Sequence, residues 1–178
     1  MRPYHVAVRK FRAAAGSAVF FCVAPGVVAG LIPWWLTGWR PGPRFPLDVP
    51  VRVVGGLLVL AGLVVLVQAF VRFVVEGLGT PAPVAPTEHL VVGGLYRHVR
   101  NPMYVAVVAI IVGQALLLGR WSLLLYAPAV ALAVAGFVRV YEEPVLHQRY
   151  GAEYDTYREA VPAWRPRLHP WQPDKTSH

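Results

Sequence analysis

The densest run of side chains able to do chemistry is Tyr96-Arg97-His98-Val99-Arg100-Asn101-Pro102-Met103-Tyr104. It lies where the chain leaves a turn-rich loop and enters an apolar run. Pro102 suits the first turn of a helix, where its missing N–H removes no hydrogen bond. A fresh helix N-terminus flanked by Arg97 and Arg100 is suited to an anion. A basic, aromatic anchor at a membrane surface has the same composition, and both readings stay open at this point.

A second cluster is Arg139, Glu142 and Glu143, at the end of a later apolar run. Glu142 and Glu143 are three and four residues beyond Arg139, so either can pair with it on one helical face. Two adjacent acids at a membrane edge suit a cationic ligand, and a solvated surface pair is the alternative. Gln68, Arg72 and Gln114 are polar residues in or near apolar runs, where interhelical hydrogen bonds are the common use. His5, His89, His98, His147 and His169 are scattered without metal-ligand spacing, so no metal site is expected. There is no P-loop, no nucleophile elbow and no Gly-x-Gly-x-x-Gly; Gly77-Leu78-Gly79 is only a short glycine pair.

The elements that must position these residues are apolar helices. Of 178 residues, 56% are hydrophobic and 15% charged, against roughly 25% charged in soluble domains. A soluble fold this small cannot hide so much apolar surface, which points to an integral membrane protein. The single cysteine, Cys22, excludes an internal disulfide and a cysteine-based zinc cluster. Four apolar runs cover about 14–36, 53–75, 103–119 and 121–141. A helix needs roughly 20 residues to cross a hydrocarbon core. The third run is at the short end, and Arg120-Trp121 follows it at once, so the last two runs form a tight helical hairpin. Trp34, Trp35, Trp39 and Trp121 lie near run ends, as an interfacial belt places them. Pro25, Pro33 and Pro128 fall inside or near runs and are expected to kink helices rather than break them.

Net charge is +8, but the basic residues lie mainly between apolar runs and no nucleic-acid motif is present. With the N-terminus inside, twelve Lys and Arg fall on the cytoplasmic side and four outside, Arg139 being within a run. The positive-inside rule then places both termini in the cytoplasm. The first run is long and lacks a cleavage-type end, so it does not read as a cleaved signal. Residues 76–100 carry Gly77, Gly79, Pro81, Pro83, Pro86, Gly93 and Gly94 and are expected to be mostly irregular. Glu142 to Ala160 reads as one polar helix with spaced tyrosines, ended by Val161-Pro162, and residues 171–178 as a frayed tail.

Four stretches occur in order: Gly77-Leu78-Gly79-Thr80-Pro81-Ala82-Pro83, residues 90–104 (Leu90 to Tyr104), Glu142-Glu143-Pro144-Val145-Leu146, and Tyr150-Gly151-Ala152-Glu153-Tyr154 with Tyr157 and Val161-Pro162. Together this set resembles the isoprenylcysteine carboxyl methyltransferase and phospholipid methyltransferase superfamily, over about 76–166. Outside that region, residues 1–75 resemble it only in offering two spans. The resemblance implies a polytopic enzyme that uses S-adenosylmethionine. It also implies that Arg100, Asn101, Pro102 and Tyr104, preceded by Tyr96, Arg97 and His98, share the cofactor pocket with Glu142 and Glu143. Asn101 stands where the eukaryotic-type enzymes carry histidine.

Under that resemblance, Arg97 or Arg100 would hold the cofactor carboxylate and Glu142 or Glu143 its ammonium. Tyr104 would face the sulfonium with its ring. His98 and Arg139 are the candidate catalytic residues. A carboxylate acceptor needs no general base, whereas an amine acceptor must lose a proton, to His98 or a glutamate.

The expectation is therefore an all-α integral membrane fold. It has four transmembrane helices and a cytoplasmic C-terminal amphipathic helix, in a single membrane domain over 1–178. Residues 14–75 form two N-terminal spans, 76–166 the cofactor-binding region and 167–178 a tail. It would lie in the plasma (inner) membrane, with membrane lipids and a lipophilic methyl acceptor from the bilayer as partners and no nucleic acid. Carboxyl O-methylation is the favoured reaction and phospholipid amine N-methylation the alternative. A non-enzymatic membrane scaffold or sensor is the reading from another class.

Overall fold

The computed structural model describes residues 23–43, 48–77 and 90–172. Cys22, His5, His89, the N-terminal basic residues, most of the Gly77–Pro83 stretch and the chain beyond Gln172 lie outside the described residues. Among the described residues every regular element is helical and there is no strand.

Helix α1 covers Val23–Thr37, with a π-helical stretch at Val27–Leu31. Helix α2 covers Asp48–Gly77. A 3-10 turn, Gly94–Arg97, precedes α3, Pro102–Leu118. Helix α4 runs Trp121–Tyr150, with a second π stretch at Val138–Glu142. Helix α5 covers Ala152–Ala160. Two segments, Val49–Arg72 and Trp121–Tyr150, are long and apolar enough to cross a membrane.

Small residues set the central packing. A Cβ on Gly55 would sit 2.5 Å from the Leu117 amide nitrogen, and one on Gly113 would sit 2.8 Å from the Gly55 carbonyl oxygen. A Cβ on Gly62 would meet Ile110 at 2.6 Å. Only glycine lets α2 and α3 come this close, the small-residue mode by which helices associate in lipid. The outer surface of α2 carries exposed Val53, Leu57, Leu60, Val64, Val67 and Val71, apolar side chains that suit hydrocarbon rather than water.

Helices α3 and α4 form a hairpin turned by Gly119 and Arg120. Gly119 is left-handed (φ 62°) and caps α3. The 17 residues of α3 run against the first 17 of α4. The start of α3 therefore lies level with the residues just past Phe137. Helix α1 is pinned across this pair: Gln114 Nε2 donates to the Ala29 carbonyl (2.6 Å) and the Tyr126 hydroxyl to the Val28 carbonyl (3.0 Å). Both carbonyls belong to the π stretch of α1.

The polar helix expected over 142–160 is two helices. Gly151 adopts φ 53°, ψ −127°, a conformation that cannot continue a helix and that side-chain-bearing residues avoid. The end of the described chain is also better held than a frayed tail. The Trp171 ring packs on Tyr157 at 5.5 Å between centroids, and its amide donates to the Arg97 carbonyl (2.9 Å).

Candidate functional site

The hairpin brings the two sequence clusters together. Arg100 lies two residues before α3, and Glu143 follows the π stretch of α4. Arg100 Nη1 donates to Glu143 Oε1 at 2.8 Å and to the Tyr154 hydroxyl at 3.1 Å. Arg158 Nη2 lies 3.6 Å from Glu143 Oε2. The Arg100 and Glu143 side chains are only 12% and 15% exposed, so the pair is partly desolvated and losing either partner is costly. Arg100 Nε is buried with no hydrogen-bond partner.

Glu142 and Glu143 have separate partners. Neighbouring helical residues point about 100° apart. Glu142 Oε2 accepts from the Tyr104 hydroxyl at 2.9 Å, whereas Glu143 faces Arg100. The pairing of Arg139 with either glutamate is not formed, because Arg100 and Arg158 take Glu143 and Tyr104 takes Glu142. Arg139 is exposed and has no ion pair among the described residues.

A strap made by residues 161–171 holds the Arg97–Asn101 segment. The Arg100 amide donates to the Pro162 carbonyl (3.0 Å) and the Arg167 amide to the His98 carbonyl (2.9 Å). His98 Nδ1 is 2.8 Å from the Arg167 carbonyl, Arg97 Nε donates to the Trp171 carbonyl, and Asn101 Nδ2 to the Ala163 carbonyl at 3.3 Å. Arg97, His98 and Asn101 thus spend these polar atoms on the strap, and Asn101 does not cap α3 with its side chain. Pro102 is buried at the first turn of α3. Tyr96 is buried beside Ala69 and Val91, and its carbonyl accepts from the Tyr157 hydroxyl at 2.7 Å.

Helix α5 docks through Tyr154, Tyr157 and Val161, which form a buried cluster. Burial pushes both tyrosine hydroxyls above the ordinary tyrosine range, with the nearby Arg100 pulling the other way. They stay neutral at physiological pH. The spacing of these three, every third or fourth residue in a charged stretch, was the available signal for a docked face.

A cavity of about 600 Å³ opens beside the ion pair, within the roughly 300–1,000 Å³ usual for small-molecule sites. Its wall includes Arg100, Arg139, Glu143, His147, Arg158 and Trp164. Of the residues expected from sequence, Arg100, Arg139 and Glu143 line it. Tyr104 and Glu142, expected to face the cofactor, pair with each other and are not among the residues that line it, and Tyr96, Arg97, His98, Asn101 and Pro102 build the layer between α3 and the strap. Sequence reasoning missed His147, Arg158 and Trp164 as wall residues. Among the described residues no group of three metal-ligating side chains exists.

S-adenosylmethionine presents a carboxylate, an ammonium, a sulfonium and a flat base. The wall offers an arginine without an ion pair among the described residues, two further guanidinium groups, a carboxylate and an indole ring. Glu143 keeps spare lone pairs, since two carboxylate oxygens accept about four hydrogen bonds. This donor set fits that ligand.

Residues 51–153, more than half the chain, match the family described as phospholipid methyltransferase. The match encloses the Arg100, Arg139, Glu143 and His147 positions and ends just before Tyr154. No curated protein and no solved structure matches the chain. A chain whose described elements are all helical, with two apolar helices of membrane-crossing length and that match over most of its length, belongs to the phospholipid methyltransferase family of membrane methyltransferases.

Proposed function

We propose that this chain transfers a methyl group from S-adenosylmethionine to a lipid-borne acceptor that enters from the bilayer. The observation that carries the reading is the cavity wall, where Arg139, which has no ion pair among the described residues, and Arg100 stand beside Glu143. Arg139 and Arg100 would hold the cofactor carboxylate and Glu143 its ammonium. Trp164 would stack on the base. The bound cofactor supplies an electrophilic methyl on sulfur. The residues of this chain align donor and acceptor and exclude water, so no covalent intermediate on the protein is needed.

Two acceptor classes have support. The three arginines of the wall suit a carboxylate, which needs no base. The family match and an imidazole on the same wall favour an amine head group. The amine reading has the more specific support, because it gives His147 a task that a carboxylate acceptor does not. We further propose four membrane crossings with both termini cytoplasmic. The shorter α1 and α3 then cross beside α2 and α4, and the cavity opens at the cytoplasmic face.

The test is transfer of isotope-labelled methyl to vesicles containing phosphatidylethanolamine, or to a prenylcysteine carboxylate, read by lipid mass spectrometry. Methylated ethanolamine head groups support the amine reading and methyl esters the carboxyl reading. Neither product, from folded protein that also fails to bind the cofactor, leaves a scaffold or sensor.

A further inference from the structure

His147 occupies the last turn of α4 and is one of the residues that line the cavity. Its Nδ1 lies 2.9 Å from Asp155 Oδ1, a residue in the first turn of α5. On one continuous helix, residues eight apart are separated by about 12 Å along the axis. The break at Gly151 closes that gap. A neutral imidazole that donates from Nδ1 to a carboxylate keeps Nε2 as its acceptor.

An ammonium head group has no lone pair and cannot attack a methyl until it loses a proton. The base must lie on the cavity and within hydrogen-bond reach of that proton. The charged groups facing the cavity beside His147 are Arg100, Arg139, Arg158 and Glu143. The guanidinium groups cannot accept a proton. Glu143 is paired with Arg100 and Arg158, and its remaining lone pairs are given to the cofactor ammonium in the reading above. His98 is bound to the strap by Nδ1 and is not on the wall. That leaves His147.

We propose that His147, oriented by Asp155, is the proton acceptor for an amine methyl acceptor; this rests on the methyltransferase reading above. Nε2 takes the proton from the ammonium. The freed nitrogen lone pair forms the new N–C bond to the methyl carbon. The S–C bond breaks and sulfur keeps its electron pair. The His147 side chain is 59% exposed, so the imidazolium returns its proton to bulk water and the site is reset. Asp155 is a positioning residue: it sets the tautomer and touches no reacting atom.

The test uses the full chain in nanodiscs with phosphatidylethanolamine. His147→Gln is expected to bind S-adenosylmethionine like wild type in calorimetry while kcat falls by about a hundredfold or more. Added imidazole is expected to restore part of the rate of His147→Ala. Nitrogen NMR of the cofactor-free protein is expected to show the Nδ1–H tautomer of His147 in wild type and its loss in Asp155→Ala, a readout independent of activity. Wild-type turnover in His147→Gln overturns the proposal and leaves the methyltransferase reading standing. Wild-type protein that binds the cofactor but methylates no amine lipid also overturns it alone. Wild-type protein that is folded and binds no cofactor overturns both.

Discussion

Arg100 and Glu143 lie 43 positions apart in sequence and are joined by a 2.8 Å ion pair. The α3–α4 hairpin makes that meeting possible, and the strap fixes Arg100 by its amide. The pair is both a structural clasp and one edge of the candidate pocket. Glu143→Gln keeps the shape and removes the charge, leaving Arg100 without its counter-ion. We expect thermal stability in detergent to fall by about 1–3 kcal/mol for a partly desolvated pair. A loss well below 1 kcal/mol would mean the pair is solvated and weak.

The glycine contact between α2 and α3 gives a test of the fold itself. A Cβ on Gly113 meets the Gly55 carbonyl oxygen and the Val59 side chain, both at 2.8 Å, whereas one on Gly136 meets nothing within 4 Å. Gly113→Ala is expected to lower stability by about 1–3 kcal/mol, and Gly136→Ala to have little effect. Equal melting temperatures for the two variants would show that α2 and α3 do not pack this way.

Two hydrogen bonds tie α1 to the hairpin. Gln114→Leu and Tyr126→Phe are each expected to cost about 0.6–2 kcal/mol, the range for interhelical hydrogen bonds in membranes. The double variant should loosen α1 and speed proteolysis or hydrogen exchange at 27–31. Unchanged exchange there would show that α1 is held by other contacts.

The docked α5 carries an alkaline signature. Burial raises the Tyr157 hydroxyl above its ordinary value, so the folded state favours the protonated form. That contribution is complete below the unfolded value of about 10 and is lost as pH rises beyond it. Wild type is expected to lose α5 docking above pH ~10, and Tyr157→Phe to be less sensitive in that window. The same variant loses the bond to the Tyr96 carbonyl, at a cost of about 1 kcal/mol near neutrality. Identical alkaline profiles would contradict the burial of Tyr157.

Much of this architecture was legible in composition and spacing. Apolar runs separated by basic loops gave a helical membrane chain, and Arg120-Trp121 after a run gave the hairpin. The Arg100 and Glu143 clusters were visible as polar residues at run ends. Their pairing was not, since local spacing favours Arg139 with Glu142 or Glu143 and only tertiary contact gives Glu143 to Arg100. His98 stood out by its neighbours, yet its Nδ1 is bound to the strap. His147 looked isolated because its partner lies beyond Gly151, and the reversal there depends on one backbone conformation. Residues 167–171 of the strap fell within the expected tail, because every bond that holds them ends on a backbone carbonyl, which residue types do not reveal.

The most direct measurement is S-adenosylmethionine binding to the full chain in nanodiscs by calorimetry, for wild type and Arg139→Ala. Arg139 has no ion pair among the described residues and lies on the cavity wall, so its removal should leave the fold intact. We expect saturable one-to-one binding by wild type, and affinity weakened about tenfold or more in Arg139→Ala, as loss of one charge-assisted contact implies. Folded wild type that does not bind, or a variant that binds equally well, would contradict the assignment of this cavity to the methyl donor.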